Sequence, residues 1–430
     1  GDNFGYSVSL SGDRALIGVR SDDDNATDSG AAYVFDFNGT NWSETAKLTA
    51  SDGAASDQFG SSVSLSGDRA LVGARGDSDN DSASGAAYVF DFNGTSWAET
   101  VKLTPADGAA GDAFGFSVSL SEDRALVGAR SDDDNGSGSG SAYVFDFDGT
   151  SWSETAKLTA GDGAARDLFG FSISVSDDRA LIGAYSDDDN GIDAGSAFIF
   201  DFNGTTWTET SKLMASDGAD GDQFGWSVSL SGDRALVGAP EDDDNGTSSG
   251  SAYVFEFDGS SWNQTAKILA DDGMVFDKFG QAVSLSGGRA LVGALSNDGT
   301  INRLDAAYVF DLTGASWTQS ARLTASDGAV FAEFGWSVDL LGDRALVGAP
   351  FSDDDISNSN DVGAAYIFDF DGKTWSETIK LVPGDLAEFG EFGRSVSLAA
   401  DSALIGAPSR FGGGTVGGAD LVEFDGSTWT

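Results

Sequence analysis

The sequence predicts an all-β chain: a β-propeller of eight four-stranded antiparallel blades, about 55 residues per repeat, with the last blade lacking its outer strand. Three observations carry this. Phe-Gly recurs at Phe4, Phe59, Phe114, Phe169, Phe224, Phe279 and Phe334, always 55 residues apart, with an eighth copy at Phe392 after 58. Each unit holds four short strand signals and no helical period. The signals are joined by short turns, which suits antiparallel neighbours.

The second unit shows why each element forms. Ser61-Ser62-Val63-Ser64-Leu65 alternates small polar with apolar residues, the period of two expected when one strand face is buried. A tight turn at Gly67-Asp68 leads into Arg69-Ala70-Leu71-Val72-Gly73-Ala74, an almost continuous apolar run that suits a strand covered on both faces. Ala87-Tyr88-Val89-Phe90-Asp91-Phe92 is rich in aromatic and β-branched residues and reads as the third strand. Asn93-Gly94 then reverses the chain into a fourth strand from Trp97 to Thr104. The units are 1–56, 57–111, 112–166, 167–221, 222–276, 277–331, 332–390 and 391–430, so the chain is one array.

Composition narrows the chemistry. Seventy acidic against 23 basic side chains leave a net charge of −47, with no His and no Cys. Thiolate chemistry, disulfides and cysteine-based metal sites are excluded, and carboxylates are left as the acid–base or metal-binding groups. An anionic surface repels phosphate, which disfavours nucleic acid and anionic membranes. Thirty Phe, 10 Trp and 8 Tyr supply enough apolar area for a folded core. No apolar run is long enough to span a bilayer, so no membrane insertion is expected within this chain. The chain opens at Gly1 and its first Met is Met214, so it reads as a processed or excised product whose export signal or anchor is not in view.

Phe-Gly at the start of strand one and Gly-Ala-Pro at the end of strand two, complete at Gly238-Ala239-Pro240, Gly348-Ala349-Pro350 and Gly406-Ala407-Pro408, make the chain resemble the FG-GAP repeat family of integrin α-subunit-like propellers and bacterial or archaeal surface proteins. The resemblance runs along all eight units. It implies a propeller with binding or adhesive roles at the cell surface or outside the cell. In the family's calcium-binding repeats the Asp-rich loop lies between strands one and two. Here that connection is a hairpin such as Ser11-Gly12-Asp13-Arg14, too short to wrap an ion, so the family's metal site does not carry over.

The acids concentrate instead after strand two: at Asp22 and Asp24, at Asp77, Asp79 and Asp81, at Asp132 and Asp134, at Asp187 and Asp189, at Asp242 and Asp244, and at Asp353 and Asp355. A second acidic position precedes the next strand one, as at Asp52 and Asp57. Up-and-down connectivity puts both on one face of the disc. Two carboxylates about 6 Å apart repel by roughly 0.7 kcal/mol even in water, so something must offset a ring of them. Ca²⁺, a hard cation that takes six to eight oxygen ligands, is the expected cofactor, with weak affinity. A solvated loop held by Asx-turns is the alternative.

Arg14, Arg69, Arg124, Arg179, Arg234, Arg289 and Arg344 head strand two, and Lys47, Lys102, Lys157, Lys212, Lys267, Arg322 and Lys380 lie on strand four. Their repetition predicts structural pairing with nearby Asp. The Trp once per strand four predicts packing between blades. Trp226 and Trp336 vary from the repeat just after Phe-Gly, where other units carry Tyr6, Ser61, Phe116, Phe171, Gln281 and Arg394, so they are candidates for a ligand patch. Asn25, Asn38, Asn93, Asn135, Asn203 and Asn245 begin Asn-x-Ser/Thr sequons with Asp two residues earlier, a form that resembles a bacterial glycosylation acceptor. Equivalent units place Asp-Gly at the hairpin, as at Asp148-Gly149, so turn chemistry explains the same residues.

Strand four of the last unit begins only at Trp429. The expectation is a fragment, a three-stranded last blade, or an edge completed by another molecule, which would allow a homo-oligomer or filament. The leading functional expectation is a secreted or cell-surface structural or adhesive module, calcium-supported, with a protein or carbohydrate ligand. A carboxylate-only glycosidase needs two acids ~5–9.5 Å apart in a unique pocket. The acids here are repeated copies, so no enzyme is expected. An acidic scaffold adapted to salt is the other alternative.

Overall fold

A computed structural model describes residues 2–295, 305–328, 332–352, 362–384, 390–408 and 417–430. They form seven four-stranded sheets and one three-stranded sheet, each in simple up-and-down order. Blade 1 consists of β1 (Phe4–Ser11), β2 (Arg14–Val19), β3 (Ala31–Phe37) and β4 (Trp42–Leu48). Blade 2 consists of β5 (Phe59–Ser66), β6 (Arg69–Ala74), β7 (Ala86–Phe92) and β8 (Trp97–Leu103). Every strand pairing within a blade is antiparallel, and strands three and four share a bulge in each complete blade, between Val89 and Phe90 in blade 2. The result is an eight-bladed propeller. Strand one is innermost, because the first strands of successive blades pack on one another around the axis.

The core is a set of slabs between blades. Leu16, Val34 and Leu48 of blade 1 pack against Phe59, Val72, Ala86, Tyr88 and Phe90 of blade 2, and the same arrangement recurs around the ring. Strand two is buried on both faces, as its unbroken apolar run predicts. The two glycines of the repeat are needed at one place. Gly60 has φ +87°, and a Cβ there would collide with Ala31 O and with Val19 N of the preceding blade. Gly18 faces the Gly60 carbonyl in turn, so blades touch backbone to backbone at a point that no side chain allows.

Strand one departs from its expected half-exposed character. Its serines reach the next blade: Ser7 Oγ donates to Gly60 O at 2.9 Å, Leu65 N donates to Ser9 Oγ at 3.1 Å, and Gly67 N donates to Ser11 Oγ at 3.0 Å. These bonds occupy backbone groups on an inner edge that lacks a neighbouring strand. The polar half of the alternation therefore marks a second contact surface and not a solvent face.

Blade 8 has β29 (Ser395–Leu398), β30 (Ser402–Ala407) and β31 (Gly418–Glu423), followed by a bridge from Phe424 to Trp429. Among the described residues β31 has no fourth strand beside it beyond that bridge. Blade 8 closes on blade 1 directly. Ser395 Oγ donates to Gly5 O at 2.9 Å, and Leu10 N donates to Ser397 Oγ at 3.0 Å. No described helix is long and apolar enough to cross a membrane.

Candidate functional site

The loop after strand two and the connection after strand four emerge on one face, and a side chain from strand four reaches both. In blade 2, Lys102 Nζ lies 2.8 Å from Asp52 Oδ2, 2.9 Å from Asp77 Oδ2 and 2.7 Å from Asp79 Oδ2. Asp77 is 2% exposed and also accepts the Tyr88 hydroxyl at 2.8 Å. Tyr88 and Lys102 are direct cross-strand partners, which is why both side chains meet the same carboxylate. Asp107, Asp132, Asp134 and Lys157 repeat the cluster in blade 3. Asp162, Asp187, Asp189 and Lys212 repeat it in blade 4, where Phe198 replaces the Tyr and Ser196 donates to Asp187 instead. Asp217, Asp242, Asp244 and Lys267 form the copy in blade 5.

The cluster of blade 1 is smaller. In blade 1, Lys47 contacts Asp22 at 2.8 Å and Asp24 at 2.6 Å. In blade 6, Arg322 pairs with Asp272 at 3.1 Å, and in blade 7 Lys380 pairs with Asp327. Asp353 and Asp355 lie outside the described residues. Asp81 stands outside its cluster and caps the amide of Ser82.

The electrostatics follow from this packing. Burial alone would lower the Lys102 pKa, but hydrogen bonds to Asp52, Asp77 and Asp79 hold it well above the usual lysine value. Burial works to raise Asp52, and Lys102 and Tyr88 outweigh it and hold the carboxyl below the ordinary range. Five residues after Asp162 and Asp217, Asp167 and Asp222 are pushed up to about 6, first by burial and then by the neighbouring carboxylates, although each accepts a backbone amide, from Ala164 and Ala219.

Calcium was expected because the acid loops need an offsetting positive charge. Asp52, Asp77 and Asp79 bring their carboxylate oxygens within 4.8 Å of one another, as a hard cation requires, and so do Asp162, Asp187 and Asp189. The Lys102 and Lys212 ammonium groups stand among those same oxygens. The donor set therefore does not fit a resident ion without expelling the lysine. The expected pairing of the strand-four lysines and the expected cation site fall at one point, and the lysine takes it.

The opposite face carries the strand-two arginines. Arg14 Nε pairs with Asp36 at 2.6 Å in its own blade, and Nη1 reaches Asp68 of the next blade at 2.6 Å. Its guanidinium lies 4.5 Å over Phe92 and 4.9 Å over Trp97 of that blade. Arg69, Arg124, Arg179 and Arg289 repeat the staple, and Arg344 repeats its ring contacts. At Arg234 the next blade offers Gly288 for the Asp and Leu312 for the Phe. Among the described residues Arg234 keeps Glu256 as its one ion-pair partner, and it is 34% exposed, against 14–18% for the stapled copies. The repeated Trp packs between blades as expected.

Around the axis, on the acid-loop face, the residues after Phe-Gly and after Gly-Ala meet. Trp226 contacts Phe171 at 5.1 Å and Tyr185 at 4.9 Å between ring centres, so it belongs to a cluster reaching across three blades. Trp336 is separate, beside Phe351 at 6.4 Å with Arg394 4.5 Å over it. The structure thus divides the expected pair between two patches. The companions of Trp226 were legible as departures from the repeat, since Tyr185 stands where other units have Arg, Pro or Leu.

The six sequon asparagines are all exposed. Asn38 Oδ1 accepts the amides of Thr40 and Asn41, and Asn93 and Asn203 do the same in their own hairpins. Asp148 makes the same turn with Thr150 and Ser151, which is the Asx chemistry expected of either residue.

No curated protein matches the chain. Among solved structures, the crystal structure of Saccharomyces cerevisiae Sqt1 is similar, with a TM-score of 0.55 over 98% of this chain and 93% of that one at 11% identity, a likeness of fold alone. The FG-GAP repeat model matches at residues 1–35, 42–90, 97–145, 152–200, 207–255, 262–310, 317–368 and 375–419. Most matched segments start on strand four of one blade and run through strand three of the next, so the family's repeat straddles the inter-blade contact. The chain belongs to the FG-GAP repeat family.

Proposed function

We propose that this chain is a rigid binding module displayed outside the cell or on its surface, that its recognition surface is the axial mouth on the acid-loop face, and that adhesion to a protein or carbohydrate is its role. One observation carries the reading. The repeated residues are used up in holding blades together, and the mouth is where neighbouring blades differ, from Tyr6 through Phe116, Phe171 and Trp226 to Trp336 and Arg394. A repeat needs no variation there for stability. The same reasoning argues for binding over catalysis: the carboxylates that lie close together are tied to lysine in several closely similar copies, whereas a reaction needs one distinct constellation.

We also propose that the cation the acid loops require is the protein's own lysine, with calcium a weak external addition. Labelling intact source cells with an antibody to the chain tests the location, and signal that needs permeabilised cells would rule out surface display. Beads coated with the chain should adhere to those cells. Trp226→Ala should weaken adhesion at least fivefold, and adhesion unchanged by both Trp226→Ala and Trp336→Ala would remove the mouth as the recognition surface.

A further inference from the structure

Most of the 23 basic side chains are the repeated Arg of strand two and the repeated Lys or Arg of strand four, each facing carboxylates. Arg20, Arg75 and Arg130 are not among them. They stand directly after Gly-Val or Gly-Ala in three adjacent blades, where later blades carry Tyr185, Pro240, Leu295, Pro350 and Pro408. All three are half-buried at the axial mouth.

Their surroundings are aromatic. The Arg20 guanidinium lies 3.9 Å over the Tyr6 ring, and that of Arg130 lies 3.9 Å over Phe116 and 5.8 Å from Phe171. Arg75 is 5.6 Å from Phe116, and its Nε donates to Gln58 Oε1 at 2.9 Å. The rings continue from Phe116 to Phe171 at 5.5 Å, and from Phe171 to Tyr185 at 4.6 Å and to Trp226 at 5.1 Å. Among the described residues, Arg75 and Arg130 take part in no ion pair, and Arg130 Nε is a buried donor with no acceptor. Burial lowers the Arg75 pKa, and repulsion from Arg20 and Arg130 lowers it further.

In a chain of net charge −47, a carboxylate for each of these arginines was available at little cost. The Arg75 and Arg130 guanidiniums are instead held against an aromatic ring, that of Phe116. A guanidinium stacked this way keeps its N–H groups in its own plane, and those groups match a carboxylate in two-pronged fashion. The adjoining Phe171, Tyr185 and Trp226 supply apolar surface for whatever carries the charge. The acid loops outside the mouth set three carboxylates against one ammonium, so an extended polyanion is repelled and a compact single charge is not.

We infer that the axial mouth over blades 1 to 5 binds a carboxylate carried on a six-membered ring with an apolar face, with Arg75 and Arg130 receiving the charge and Phe171, Tyr185 and Trp226 receiving the ring. The inference rests on the reading of the mouth as the recognition surface and names the chemistry of its ligand. A uronic-acid sugar and an aromatic acid both present that chemistry.

Saturation-transfer NMR on the full chain at low salt tests it with methyl glucuronoside and 4-hydroxyphenylacetate, each against its neutral counterpart, methyl glucoside and 4-hydroxyphenylethanol. At least one acid should bind tenfold or more tightly than its counterpart, and which one does so identifies the source of the ring. Arg130→Gln and Arg75→Gln should each weaken that acid at least tenfold with the melting temperature unchanged, while Arg69→Gln on the opposite face leaves binding intact. Neither acid binding, acid and neutral binding alike, or undiminished binding in the Arg75→Gln, Arg130→Gln double variant would overturn the inference. Bead adhesion that survives such a result shows that the mouth recognises some other chemistry, which separates failure here from failure of the broader reading.

Discussion

Blade 8 meets blade 1 through the same backbone contacts that join blades 1 and 2, but among the described residues through fewer buried side chains. Gly406 faces the Gly5 carbonyl as Gly18 faces that of Gly60, and the serine bonds are equivalent. Among the described residues, the buried cluster at the closing interface is Ala15, Ile17 and Leu404, with Phe4, Phe35 and Trp42 among those left half-covered. Ser402 takes the place of the stapling Arg, and Glu423 accepts the Trp42 indole N–H at 2.7 Å instead. Asp420 replaces the Tyr of strand three. The comparison separates two functions of the repeat: glycines and serines determine where blades touch, while Arg, Lys and aromatic residues determine how strongly they hold.

The largest effect should come from the shared part. Val at Gly60 must adopt φ near +87° and drive a side chain into two backbone atoms, so Gly60→Val should cost at least ~4 kcal/mol by denaturant titration, and Gly5→Val as much. A mild Gly5→Val would mean that closure does not rest on the same contact. Gly67, with φ +56° and open space around it, should accept Asn within about 0.5 kcal/mol.

Next in size is the lysine cluster. Lys102→Met leaves the buried Asp77 and two more carboxylates without a cation and should cost about 3–5 kcal/mol. Lys47→Met, with two carboxylates, should cost less. Millimolar Ca²⁺ should recover part of the Lys102→Met loss and leave the parent chain's unfolding midpoint unmoved. A parent chain that melts earlier in chelator would return calcium to the acid loops.

The arginine staples come third. Arg69→Gln should cost about 1–2 kcal/mol, since its ring contacts are sheltered and one of its carboxylate partners is exposed, and Arg234→Gln about 0.5 kcal/mol. The converse change, Ser402→Arg, places a guanidinium near Phe37 and Trp42 of blade 1 and should stabilise closure by about 0.5–1 kcal/mol, read as slower amide exchange in β30 and β31.

The remaining effect is on pH. Asp167 and Asp222 titrate near 6 in the fold against 3.8 when unfolded, so the native state binds more protons between those values. Their contribution is full below about 3.8 and is lost as pH rises through 6. Asp52, Asp107 and Asp217, held low, act in the opposite sense: they contribute above the ordinary Asp range and lose that contribution as pH falls. Asp167→Asn should flatten the decline between pH 4 and 6, and an unchanged slope would move the titration to other groups.

The strands, their order and the blade count were legible because Phe-Gly, Asn-Gly and the apolar run of strand two are local signals with a fixed period. The structural pairing of the arginines and lysines was legible from repetition alone. What could not be read locally was convergence. Asp52, Asp77, Tyr88 and Lys102 are spread over fifty residues, and only the packing of one blade against the connection that leaves the previous one brings them to a single point. The serines of strand one were misread for a related reason. Alternation reports that two faces differ, but not that the polar face meets another blade.

Those serines have a consequence for how such a chain can change over generations. In each bond a side chain of one blade engages only main-chain atoms of the next, so the recipient contributes nothing that depends on its sequence. Any unit that keeps its own serines and glycines can follow any other. An array joined in this way can exchange, duplicate or reorder its units by recombination without co-adapting these contacts in each new pair of neighbours, and the residues at the axial mouth can diversify independently of them.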